Sequence, residues 1–367
     1  MADPVLHVID SYYFEVPQFL WEYKKLDQIP GWLREANPSA SIQDFQHELN
    51  GKIVIPQPFG KLKDLYTAES GFCISKYMIL EVAVAAVLVF LFSRLAAHVR
   101  SNGAPQGRLW NLLESFLVYL RDGVIRPSID GDHADHDEHG DHPPVDVHVH
   151  AAASYAPAET ATTGHGVHGH AATGHSHARL GHAAVARHPA RESDKFVPIL
   201  WTLFFFVLFC NLAGIIPWLG SPTGALSTTV ALAVVTLLTG FIFGNLKFGV
   251  FGYWKNQIPS MDLPLVMAII LKPMIFVIEV AGLLIKHGIL AVRLLANMLA
   301  GHLVIGGIMG LIVAAAAASD FSYWVTTIIA VIGTTLFFLL ELFVAFLQAY
   351  IFTFLSALFI GAAVHHH

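Results

Sequence analysis

An arginine in the middle of a long apolar run is the first residue that calls for a chemical explanation. The stretch Val292 to His302 reads V-R-L-L-A-N-M-L-A-G-H, and no acidic residue follows Arg293 until Asp320. A guanidinium does not lose its proton inside a protein. Held within a bilayer it is costly, so it marks a functional site by default, unless it lies near a helix end and snorkels its head to the interface. Residue type alone allows both readings. Asn297 lies one turn after Arg293 and on its face. His302, Glu341, Gln348 (seven residues after Glu341, on one face) and Glu279 (fourteen residues before Arg293) stand in the same apolar half of the chain. Imidazole and carboxyl groups titrate within reach of working pH when burial shifts them. Each of them alone is equally readable as a satisfied buried polar group.

The elements that must hold these groups are membrane helices. The 367 residues are 55% hydrophobic and 13% charged, with mean hydropathy +0.57, a composition for a polytopic membrane protein rather than a soluble domain. Cys73 and Cys210 make no disulfide framework and are read as unpaired. Much of the net charge of -6 comes from one acidic, histidine-rich insert. The stretch Met1 to Pro17 lacks the basic segment and apolar core of a cleavable signal peptide.

Residues 1–76 are polar with scattered Pro and Gly, and read as an N-terminal domain or extended arm outside the bilayer, or equally as a loosely ordered terminus. Its aromatics Tyr12, Tyr13, Phe14, Phe19 and Trp21 suit a membrane interface. The first span is expected over Met78 to Ala97, with Arg94, Arg100 and Arg108 at or beyond its end marking the cytoplasmic side, which puts the N-terminus outside. Between Leu109 and Val124, apolar residues recur at helical spacing with Asn111, Glu114, Arg121 and Asp122 between them. That segment is too charged to span and suits an interfacial helix, or a partner-facing helix of a soluble insert. Residues 77–128 form this unit.

The insert over 129–192 has the histidines and acids of low-complexity sequence and too little apolar content for a core, so disorder is expected. Histidine beside carboxylates binds zinc, nickel or copper, and His133, His136, His139 and His142 are candidates for adventitious metal binding. Across the whole insert the histidine spacings are irregular, and no single four-ligand site stands out. Residues 193–250 hold two further spans, Pro198 to Leu219 and Ala225 to Leu246, joined by a short S-P-T-G turn that makes them a hairpin. Asn211 is the only strongly polar member of the first of them. Residues 251–364 contain two apolar runs, Leu263 to Ala318 and Phe321 to Val364, each about twice the ~20 residues one upright span needs. They suit broken helices or long helices strongly tilted in the bilayer. The final 365–367 are a histidine triplet, native or the remnant of a purification tag.

Three motifs in order resemble subunit a of the F-type ATP synthase family. V-R-L-L-A-N-M-L-A-G-H resembles that family's R-L-x-x-N-M-x-A-G-[EH] signature. E-L-F-V-A-F-L-Q-A-Y-I-F resembles its last helix, and F-C-N-L-A-G-I-I-P its N-L-x-G-L-[IL]-P motif, with Ile215 departing from the usual leucine. The resemblance covers about residues 78–125 and 195–364. It implies an all-α polytopic membrane protein: one upright span, an interfacial amphipathic helix, a transmembrane hairpin and two long, strongly tilted membrane helices. It implies a proton-translocating, non-catalytic stator subunit in a bacterial inner membrane, with no cofactor. The implied partners are the c-ring, the subunit b peripheral stalk and the remainder of the F1Fo complex, with the insert and C-terminus cytoplasmic.

By the same resemblance Arg293 is the essential cation facing the c-ring carboxylates, with Asn297 beside it and Gln348 reaching toward it. His302 and Glu341 exchange the glutamate and histidine of many bacterial relatives, which argues that they lie close together in the outer half-channel with Asn211. Glu279 belongs to the cytoplasmic half-channel. His287 stands where many relatives have proline, so the course of that helix is expected to differ. The rival reading is a divalent-metal transporter with a His-rich cytosolic loop, which needs paired ligands in its spans rather than a permanent cation. A membrane scaffold leaves Arg293, His302, Glu341 and Gln348 unexplained. No glycine-rich phosphate loop is present, so no ATP site is expected on this chain, and nothing points to nucleic acid.

Overall fold

The computed structural model describes residues 10–17, 19, 21–36, 41–102, 107–130, 192–216, 219–256 and 265–364. The four candidate metal-binding histidines and the terminal triplet lie outside them.

The first unit is a small packed body rather than a loose arm. Strand β1 (Tyr13–Glu15) pairs antiparallel with β2 (Lys52–Val54), and β3 (Gly60–Leu62) with β4 (Ala68–Gly71). Helices α1 (Gly31–Ala36) and α2 (Ile42–Leu49) lie between the first pair. Tyr13, Tyr23, Ile29, Leu33, Phe45, Leu49 and Leu65 form its core. The all-α expectation therefore holds for the membrane part and not here. Tyr13 is 1% exposed and sits in that core rather than at an interface, while Phe19 and Trp21 are exposed.

This unit finishes the first membrane helix, α3 (Lys76–Asn102). The first N–H groups of a helix have no partner within it. Here Lys76 donates to the Ser11 carbonyl at 2.8 Å, Tyr77 to the Asp10 carboxylate at 3.3 Å, and Met78 to the Ser75 hydroxyl at 3.4 Å.

Helix α4 (Arg108–Tyr119) buries Leu113 and Leu117. A π-helical turn, Leu120–Ile125, carries the chain into α5 (Arg126–Asp130), so helix continues past the expected end at Val124 and past residue 128. The extra backbone residue per turn keeps Leu120, Val124, Ile125 and Ile129 all buried. Arg126 donates to Asp194 at 2.9 Å and to Asp122 at 2.7 Å. Ser193 donates to Asp130 at 2.7 Å. The two ends of the segment between 130 and 192 are thus held together.

Helix α6 (Val197–Ile215) starts with Pro198 in its first turn and is apolar on all sides, which suits a helix buried all round. A 3-10 turn over Pro222–Gly224 leads to α7 (Leu226–Phe248) and then to α8 (Val250–Asn256), an element the sequence reading did not anticipate. Helix α9 (Leu265–Ala318) and helix α10 (Asp320–Val364) are continuous. Broken helices are therefore excluded, and α9 runs through both Pro273 and His287. At 1.5 Å per residue α9 is about 81 Å long, against ~30 Å of hydrocarbon. Five described helices are long and apolar enough to cross a membrane. Helix α10 packs on α6, α7 and α9, and also on α5, where Gly361 approaches the backbone of Ser128.

Candidate functional site at the α6, α9 and α10 contact

Helix α9 has two chemically different sides. His287, Leu290, Leu294, Met298 and Gly301 recur at helical spacing and are buried. Glu279, Lys286 and Arg293 recur every seven residues and are exposed, as are Ala296 and Ala300. Asn297 is half-buried at the edge of that open side. Among the described residues no hydrogen bond or ion pair reaches Arg293, and none joins it to Gln348. The small side chains beside it leave room for another helix to approach.

His302 follows Arg293 by nine residues, half a turn out of phase at 100° per residue. It therefore belongs to the packed side. Its Nδ1 lies 2.9 Å from the Met298 carbonyl. A carbonyl only accepts, so Nδ1 carries the hydrogen in the neutral ring and Nε2 keeps the lone pair that takes up a proton. Glu341 on α10 is within electrostatic reach of His302. Glu341 as a whole is 8% exposed, and its Oε1 has no hydrogen-bond partner. The room for it comes from Gly301, where a Cβ would lie 2.5 Å from Oε1.

The buried side of α10 carries Glu341, Ala345 and Gln348 in successive turns. Asn211 of α6, fully buried, donates from Nδ2 to the Ala345 carbonyl at 3.4 Å. Its Oδ1 accepts from the Thr223 hydroxyl at 2.8 Å. The Ser221 hydroxyl lies 2.7 Å from the Thr223 hydroxyl oxygen and 3.2 Å from the Cys210 carbonyl, and its single hydrogen serves one of them at a time. Gly214 lets α6 close on α9, since a Cβ there would overlap the Met298 side chain. A polar track thus runs from the Ser221–Thr223 turn through Asn211 to the stretch of α10 between Glu341 and Gln348. Gln348 is buried with Nε2 unpartnered.

The structure sets Glu341 within electrostatic reach of His302, bonds Asn211 to the Ala345 carbonyl one turn further along α10, and puts Gln348 on the same buried side of that helix. It leaves Arg293 and Glu279 apart from them on the open side. Sequence reasoning took Ser221 and Thr223 as turn residues and missed their contact with Asn211. It also gave no role to Glu81, whose Oε1 accepts from Thr228 at 2.6 Å between α3 and α7. The signal available was chemical: an acid in a span, and hydroxyls in a turn beside a motif asparagine. Cys73 and Cys210 are free. Among the described residues no group of three His, Cys, Asp or Glu side chains is placed to hold a metal ion.

A bundle of apolar helices around buried amide, hydroxyl, carboxyl and imidazole groups, with Arg293 on its open side, is the architecture of a multi-pass membrane protein. The family described as ATP synthase A chain matches residues 181–361. The chain is 42% identical over 185 residues to ATP synthase subunit a of Myxococcus xanthus, covering 48% of this chain and 55% of that one. It is 46% identical over 182 residues to ATP synthase subunit a of Anaeromyxobacter dehalogenans, covering 48% and 44%. It is 30% identical over 327 residues to ATP synthase subunit a 2 of Chlorobaculum tepidum, covering 88% and 72%. The chain belongs to the ATP synthase subunit a family. It spans about half the length of the first two of these relatives.

Proposed function

We propose that this chain is the proton-conducting stator subunit of a rotary F-type ATP synthase, providing two half-channels to a ring of c subunits. The observation that carries this reading is the division of α9, with Arg293 exposed on one side and Gly301 against Glu341 on the other. A ring carboxyl crosses hydrocarbon only when protonated. Opposite a fixed guanidinium the carboxylate is favoured, because a nearby positive charge stabilises the charged form. Arg293 therefore discharges each arriving site and blocks direct passage between the half-channels. Lysine is a poor substitute, since it deprotonates when desolvated.

In this reading His302 and Glu341 relay protons in the outer half-channel, with Asn211 and Gln348 lining it. Asn297 orients the guanidinium, and Glu279 serves the cytoplasmic half-channel along the same open side. The length of α9 against the bilayer supports a strong tilt for both long helices. The rest of the assembly, with subunit b and the F1 sector, supplies the stalk and the ATP chemistry. The membrane is a bacterial inner membrane, with the N-terminal unit outside. Divalent-metal transport has no support from the family, and a permanent cation at Arg293 repels a metal ion.

The test is ATP-driven proton pumping by the whole complex in vesicles. Arg293→Ala is expected to reduce pumping to background with the complex still assembled. Intact pumping by Arg293→Ala sinks the mechanism.

A further inference from the structure

Glu81 is the only acid in the first membrane helix. It stands five residues into α3, half-buried, with its Oε1 accepting a hydrogen bond from the Thr228 hydroxyl at 2.6 Å. It is within electrostatic reach of Cys210 on α6, the residue before Asn211. Cys210 also accepts, through its carbonyl, the hydrogen bond from Ser221. Ser221 in turn meets Thr223, and Thr223 meets Asn211. Helix α3 also packs on the Pro222–Gly224 turn, so Glu81 stands near the outer-turn end of the buried polar track, on the side of the extramembrane unit that caps α3. The loop beside it is tightly packed: a Cβ at Gly220 would lie 3.2 Å from the Lys76 ammonium and 3.4 Å from the Tyr77 hydroxyl.

We propose that Glu81 is the proton-entry carboxylate of the half-channel that leads to Glu341 and His302. The inference rests on the proton-conducting function proposed above and adds a residue to it. A bilayer carboxyl held this close to a polar track is a functional group by default. As carboxylate, Glu81 takes a proton from water at the mouth of the channel on the oxygen not engaged by Thr228. The neutral acid then donates that proton inward, to water ordered by the Thr223 and Ser221 hydroxyls and the Asn211 carbonyl oxygen, and so toward Glu341. One proton enters and one leaves, with no other bond made or broken. The competing account is that the Glu81–Thr228 hydrogen bond only fastens α3 to α7.

Two substitutions separate these accounts in vesicles containing the complete complex. Glu81→Gln keeps an oxygen that accepts from Thr228 and removes the titratable group. Glu81→Asp keeps the carboxyl and withdraws it by one methylene. Passive proton conduction and ATP-driven pumping are measured, with the amount of assembled complex checked in each preparation. The proposal expects conduction to fall about a hundredfold in Glu81→Gln, the range for losing one proton-transfer group, and to be largely retained in Glu81→Asp. A fastening role expects the reverse order. Normal conduction in Glu81→Gln overturns the proposal, as does equal loss in both variants with the complex assembled. Failure of the underlying function is visible separately, because then wild-type vesicles themselves show no conduction that Arg293→Ala alters.

Discussion

Gly301 makes the space that the Glu341 carboxyl occupies: a Cβ on residue 301 would stand 2.5 Å from Oε1. A glycine inside a helix costs stability, about 1 kcal/mol relative to alanine, so its presence here serves the contact with Glu341 rather than the helix. Gly301→Ala is expected to displace the end of a flexible side chain and leave the fold intact. Misplacing a proton-transfer group by about 1 Å costs up to about a hundredfold in rate. Proton conduction in vesicles should therefore fall at least severalfold in Gly301→Ala. Gly307→Ala, where a Cβ meets nothing within 4 Å, is the control and should conduct normally.

The proximity of His302 and Glu341 gives a second prediction. Each of His302→Ala and Glu341→Ala is expected to lower conduction about a hundredfold, the range for removing a positioned acid or base. The exchanged double variant, His302→Glu with Glu341→His, should recover part of what either half of the exchange loses. A double variant no better than the worse single variant would refute the shared relay.

The third prediction concerns the segment between 130 and 192. Ser193 donates to Asp130, and Arg126 binds Asp194, so the structure on either side is closed without it. Replacing residues 131–191 by a short Gly-Ser linker should leave ATP-driven pumping largely unchanged. Arg126→Ala, which opens the tie, should loosen the α5 end and raise the rate of proteolysis near residue 130.

A pH effect follows at the same place. The Arg121 side chain, which donates two hydrogen bonds to Asp122, and then the Arg126 charge hold the Asp122 carboxyl below its ordinary value of 3.8. A depressed carboxyl stabilises the fold above its unfolded value, and that contribution is lost as the pH falls through the folded value. The side chain is 41% exposed, so screening by solvent keeps the effect below about 1 kcal/mol. The stability difference between wild type and Asp122→Asn, measured by denaturant titration, should be present at neutral pH, start to decline below about pH 3.8 and be gone once the pH is under the depressed folded value. A difference that persists in stronger acid would place the contribution elsewhere.

Much of the membrane part was legible because bilayer physics leaves few choices. Spans of twenty apolar residues must be helices, and the doubled runs after 263 had to be long or broken. The closeness of His302 and Glu341 was implied by the exchange of acid and imidazole within the family resemblance, while helical spacing put Asn297 beside the Arg293 face. What escaped was structure made by distant partners. Nothing local in Y-F-E or K-I-V distinguishes three-residue strands from loop, and only pairing across 37 residues makes β1 and β2 a sheet. Ser221 and Thr223 read as turn formers because their contact is with Asn211, on another element. The π-helical turn at Leu120 was hidden because it shifts the apolar spacing by one residue, which blurs the very period used to find helices.

The cap on α3 sets a sequence of events for biosynthesis. Asp10 meets the backbone of Tyr77 across 67 residues of chain. The cap on the leading end of that helix is therefore complete only once the body built from residues 10–75 has folded beside it. A lesion in a water-exposed strand, far from any conducting group, would be felt as a defect of membrane assembly.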